Sequence, residues 1–195
     1  MIKFTGTENE KSSSFYRRNE LIAHEWETLA AEMGSDASGE YNSYLVDIHL
    51  NVPNEVSNFD IHGKHQLSSI TSDLLPPDSQ YAGETSIRTY LNGEHPGSFF
   101  IRRANLMNVL TSDDKPYPHN KDFLYNADDE ALFKTILEDH PYSSQLWSMS
   151  LVSFKYSQKD GELLLLVGQL LQDQEEIKDL VAFFKHTAML ISQLS

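Results

Sequence analysis

LVSFKYSQKDGELLLLVGQLLQDQEEIKDLVAFFKHTAMLISQ, residues 151–193, is the stretch whose reading decides the fold. Two β-rich runs, Leu151 to Ser157 and Glu162 to Leu170, flank Lys159-Asp160-Gly161, a sequence suited to a tight hairpin turn. Asp173 and Glu176 then form a capping-box-like pair. Behind them Ile177, Leu180, Val181, Phe184, Ala188 and Ile191 recur at three and four, as one face of a helix requires. A hairpin followed by an amphipathic helix predicts strands paired antiparallel with the helix laid across one face.

Upstream of this stretch, Asp122 to Ala127 is short and apolar enough for a strand, and Asp128 with the carboxylates behind it marks the start of a helix, ALFKTILED, that Pro141 ends. A short helical piece is expected around Leu146-Trp147. Nearer the start, Tyr44 to Val52 alternates, with Val46, Ile48, Leu50 and Val52 on one face and Asp47, His49 and Asn51 on the other. The run Phe59 to Lys64 alternates in the same way. Pairing the two so that like faces meet places Val52 opposite Phe59 and His49 opposite His62. Thr85 to Leu91 and Ser98 to Arg102 complete the expected strands, with Asn92-Gly93 as a turn between them. The segments SDASGEYN, LSSITSDLLPPDS and TSDDKPYPHNKD carry no such pattern, although the second has room for a helical turn or two before its prolines.

The helix expected around HEWETLAAEMG, His24 to Gly34, places Leu21, Ile22, Trp26, Leu29, Ala30 and Met33 on an apolar stripe and Glu20, Glu25, Glu27 and Glu32 behind it. His24-Glu25 begins like a zinc-protease helix. That chemistry needs a second His one turn later, and Thr28 stands there. The fold expectation is therefore α+β: a mainly antiparallel sheet with helices packed on one face, a two-layer sandwich in which Trp26, Leu29, Leu132, Ile136, Ile177, Leu180, Val181 and Phe184 are buried. Residues 1–13 read as a mobile polar tail, and 14–195 as a single domain.

The helix with Trp26, Leu29-Ala30 and Gly34, together with the closing strand, helix, hairpin and long helix from Phe123 to Leu194, resembles a loose group of uncharacterised bacterial cytosolic α+β domains. The resemblance implies a fold and supplies no activity and no site residues.

Composition narrows the chemistry. The 195 residues contain no cysteine, which excludes disulfides and thiolate zinc sites. No Gly-x-Ser-x-Gly elbow and no phosphate-binding glycine motif occurs. With 15 basic against 29 acidic residues the net charge is −14, which opposes nucleic acid and anionic lipid. The opening residues lack the apolar run of a secretory signal, and Leu163 to Val167, the longest apolar run, is too short for a bilayer, so a cytoplasmic location without membrane association is expected.

Three functional readings remain. The first is a non-catalytic interaction domain whose acidic face, built from Glu20, Glu25, Glu27 and Glu32, meets a basic partner protein, in its extreme form an inhibitor of the immunity or antitoxin kind. Homodimerisation is left open. The second is a metal-dependent hydrolase: Asp47 and His49 from one strand, with Asp60 and His62 from the other, project to one side of the hairpin and offer ligands suited to zinc. A solvated polar face explains the same residues without a metal. The third is a small-molecule binding domain. Arg102-Arg103 and the cluster Asp128, Asp129, Glu130 read as a solvated pair and a helix start.

Overall fold

The computed structural model describes residues 1–67, 81–92, 97–104, 114–138, 146–147 and 150–193. Ten strands form an open, mostly antiparallel sheet: β1 (Ile2–Phe4), β2 (Ala37–Tyr41), β3 (Leu45–Val52), β4 (Phe59–Leu67), β5 (Tyr81–Tyr90), β6 (Phe99–Arg103), β7 (Lys115–Pro116), β8 (Phe123–Ala127), β9 (Leu151–Ser157) and β10 (Glu162–Val167). Their order is β1-β2-β3-β4-β5-β10-β9-β6-β8-β7. Among the described residues three helices accompany them, α1 (Ser14–Glu32), α2 (Glu130–Glu138) and α3 (Gln174–Gln193). The α+β architecture expected from the alternating and helical periods is the one present. The chain clusters into two compact units: Met1–Asn54 with Asn58–Ser86 and Gly168–Lys178, and Glu55–Ser57 with Ile87–Val167 and Asp179–Ser195.

In the first unit, the alternation of β3 buries Val46, Ile48, Leu50 and Val52, and that of β4 buries Phe59 and Ile61. Their register pairs Val52 with Phe59 and His49 with His62, as matching of like faces requires. Helix α1 covers the apolar side. Its Ser13 cap accepts hydrogen bonds from the amides of Phe15 and Tyr16. Trp26, fully buried, lies over Gly63 of β4 and donates its indole N–H to the Leu171 carbonyl at 3.1 Å. A β-carbon at Gly63 would lie 2.4 Å from the Trp26 ring edge, so glycine is required there by close approach rather than by a turn. Thr85 ties down the same segment, donating to Gln169 O and accepting from Leu171 N, both at 2.9 Å.

Several expectations for this unit are corrected. Leu21 is 63% exposed, and its place on the buried stripe is taken by Tyr16 and Asn19. The reason is angular: Leu21 falls outside the arc that Ile22, Trp26 and Leu29 fix against the sheet. Residues 2–4 are not a mobile tail. They pair in parallel with β2, and residues 8–12 form a 3-10 helix. Phe4 packs edge-on against Tyr16 at 5.1 Å, an anchor that the surrounding polar residues conceal in sequence. The link at 35–42 contains β2, a strand with almost no β-propensity that is held instead by five pairings with β3. Gly39, at φ 137°, lets it approach the Asp47 carbonyl too closely for any β-carbon.

In the second unit, the β9–β10 hairpin turns through Gly161 at φ 66°, within the left-handed region that favours glycine. Ser157 donates to Asp160 at 2.8 Å across the same turn. The register shifts between Leu166 and Val167, so that Val152 is passed over and left 39% exposed while Leu151 and Phe154 both face inward. Phe99 and Phe154 on the inner face meet Phe133 of α2 and Phe183 of α3, with ring centroids 5.7 and 5.4 Å apart. Both helices therefore cover one face of this unit. The helix starts are capped by Asp129 and Asp173, each accepting two backbone amides; Asp128, expected to mark the first of them, accepts from Ser98 N at 2.6 Å instead. Strand β10 stops at Val167, and the described part of the proline-rich loop contributes the two residues of β7. All eight residues expected to be buried are so. The expected segment LSSITSDLLPPDS, apart from its first residue, Gly93 of the Asn-Gly turn, and Pro141 lie outside the described residues.

His65 on β4 is 5% exposed, opposite Val46 on the inner face. Burial, with Arg18 adding a smaller repulsion, lowers its pKa from 6.5 to about 4. The unfolded chain takes up this proton near pH 6.5 and the native state does not. The contribution is therefore intact above pH 6.5 and drains away as pH falls towards 4. Roughly 2–3 kcal/mol should be lost over that window. His65→Gln should flatten the dependence of urea midpoint on pH between 6.5 and 4, and an unchanged slope would refute the assignment. Separately, Gly63→Ala should displace Trp26 and lower stability by about 1–3 kcal/mol, seen in urea titrations followed by circular dichroism. A neutral substitution would show that the ring does not rest on β4.

Candidate functional site

Alternation along β3 and β4 sends one set of side chains into the core of the first unit and leaves the other on an open outer face. On that face the register sets Asp47 opposite Lys64, His49 opposite His62, and Asn51 opposite Asp60. From the other side β2 sets Glu40 beside Asp47 and Ser38 beside His49. Directly opposed pairs have β-carbons about 4.5–5.5 Å apart, close enough for imidazoles to meet.

His49 and His62 stack with centroids 4.1 Å apart and ring planes 6° from parallel. Both turn Nε2 towards the same oxygen: Asp47 Oδ1 lies 3.0 Å from His62 Nε2 and 3.2 Å from His49 Nε2. Asp47, His49 and His62 form the one group of three metal-capable side chains among the described residues whose ligand atoms fall within 4.8 Å of one another. Ligand atoms around a tetrahedral ion with bonds near 2.0–2.1 Å stand about 3.3 Å apart. The observed separations are close to one edge of that tetrahedron. Parallel rings do not yet aim both lone pairs at one point, so binding requires a rotation of one imidazole, and His49, whose side chain is 47% exposed, has the freedom to make it.

Asp60, expected to contribute, does not converge with the others. It sits one pair further along the hairpin, opposite Asn51, and its side chain is exposed. His65 stays out of the group as its phase dictates. Lys64 and Glu40 were missed as neighbours of the cluster, although the register signal that joined His49 to His62 also places Lys64 opposite Asp47.

Each of the four glutamates of α1 has a partner; Glu20, Glu25 and Glu32 remain exposed, and only Glu32 meets a cation. Glu27 Oε1 accepts the Ile2 amide at 2.9 Å and so holds β1 in place. Glu32 pairs with Lys178 at 2.8 Å, and Glu25 accepts from the Gln174 amide. Glu20 accepts the Tyr16 hydroxyl at 2.6 Å, which raises the pKa of that phenol. His24 is exposed, and Thr28 donates to the His24 carbonyl in an ordinary intrahelical contact.

Other recesses carry less chemistry. In the second unit a groove of about 390 Å³ runs between Phe100 and Lys155, but its cations are committed: Arg102 to Asp114 at 2.5 Å and Lys155 to Glu162 at 2.6 Å. Among the described residues no helix is long and apolar enough to cross a membrane. No protein-family model matches this chain, and comparison with curated proteins gives no match.

Proposed function

We propose that this protein binds a divalent transition-metal ion, with Asp47, His49 and His62 as its ligands on the outer face of the first unit. The convergence of two imidazole nitrogens on one carboxylate oxygen carries the reading. Two nitrogens and one oxygen suit zinc, cobalt, nickel or iron(II), whereas magnesium and calcium favour all-oxygen shells. Three protein ligands leave at least one position for water or for another molecule, the arrangement hydrolytic zinc sites use. Metal-assisted hydrolysis is accordingly the reaction class the site would serve.

An interaction domain with a basic protein partner ranks below this. It rests on the net charge of −14 and a run of exposed carboxylates, whereas the metal reading has a converged set of side chains behind it.

Protein purified without a histidine tag and dialysed against zinc should hold one equivalent by elemental analysis. The double variant His49→Ala, His62→Ala should hold none. Both residues lie on a solvated face, so the variant's melting temperature without metal should shift by no more than about 0.5 kcal/mol of stability allows. Zinc at a hundredfold excess over its dissociation constant should stabilise the wild type by about 2.7 kcal/mol and leave the variant unchanged. Wild-type protein that retains no stoichiometric zinc, cobalt or nickel would end the proposal.

A further inference from the structure

Lys64 has no carboxylate within 4 Å among the described residues, whereas Arg88, Arg102 and Lys155 on the sheet of the second unit are each paired with one. It stands directly opposite Asp47 and two residues from His62, on the face that carries the cluster. Its other side lines a groove of about 240 Å³ with Gln66, Gly83 and Glu84. A chain of net charge −14 repels anions in general, so an anion is held only where positive charge is concentrated and uncompensated. Lys64, which meets no carboxylate within 4 Å among the described residues, adds its charge to that of a bound ion with an open coordination position.

We infer that the site takes a small oxyanion, a phosphate or carboxylate group, which coordinates the bound ion and is held by Lys64, while the rest of the ligand lies in the groove between Gln66 and Glu84. The inference rests on the metal reading. Lysine acts here as a point charge with three donors, able to reach an oxygen of either anion without the bidentate geometry an arginine would impose. The ion and Lys64 together would fix the anion's position by one coordinate bond and one charge-assisted hydrogen bond. Gln66 and Glu84 offer a donor and acceptors to polar groups on the same ligand, which favours hydroxyl- or amine-bearing molecules over apolar ones.

Cobalt(II)-loaded protein provides the test, because its visible absorption changes when an anion replaces coordinated water. Inorganic phosphate and acetate would be titrated separately, with calorimetry alongside. Wild-type protein should show saturable spectral change with at least one of them, and the tighter of the two identifies the preferred group. Lys64→Met should bind cobalt normally and weaken the anion at least tenfold, while Lys64→Arg should keep most of the affinity. Cobalt binding with no anion-dependent change, or equal anion affinity in Lys64→Met, would overturn the inference and leave the metal site standing. Failure of cobalt to load at all would remove the metal proposal and this one with it.

Discussion

The contact between Trp26 and Gly63 sets the geometry of the first unit. An indole can lie against a strand backbone only where no side chain intervenes, so one glycine in β4 fixes how closely α1 approaches the sheet. The indole N–H, buried with the ring, must find an acceptor and takes the Leu171 carbonyl. That bond, with the two made by Thr85, holds the segment after β10 against the same core. Leu170 crowds the same point above Gly63. One aromatic side chain thereby specifies the seat of a helix and the path of a chain segment about 145 residues away in sequence.

Fixing α1 on one side has a consequence for the other. With the apolar residues of β3 and β4 committed inward, the strict period of two leaves Asp47, His49, His62 and Lys64 together on the outer face. His49 is the most exposed of the three ligand candidates, with Asp47 and His62 more covered. The stacked imidazoles and their shared carboxylate are thus rigid in backbone and adjustable in side chain, a combination that places ligands near an ion's coordination shell and still allows the final rotation.

The surplus of acid is spent in a way that composition cannot show. Glu27 caps the amide of β1, Glu162 holds both Arg88 and Lys155, Glu138 meets His119 and Lys134, and Asp129 and Asp173 begin helices. Carboxylates here serve backbone amides as much as cations. Exposed pairs of this kind contribute little each, and their common effect is to fix local geometry rather than to raise stability greatly.

By itself the sequence determined whatever depends on short-range period and on residue type: the α+β class, the inward residues of β3 and β4, the presence of the β9–β10 hairpin, the buried residues of α2 and α3, the turn at Gly161, and the pairing of His49 with His62. These follow because alternation and helical spacing force like faces together. The candidate site was legible to the extent that one hairpin contains it. Only the tertiary structure decided that Asp60 falls short of the cluster, that Lys64 beside it meets no carboxylate within 4 Å among the described residues, and that Glu25, Glu27 and Glu32 bond to distant segments. It alone revealed β1 and β2, whose residues have little strand propensity and are held by pairing and by Phe4 against Tyr16. Such features depend on contacts between segments far apart in sequence, and no local pattern encodes which distant group a glutamate, an edge strand or a lysine will meet.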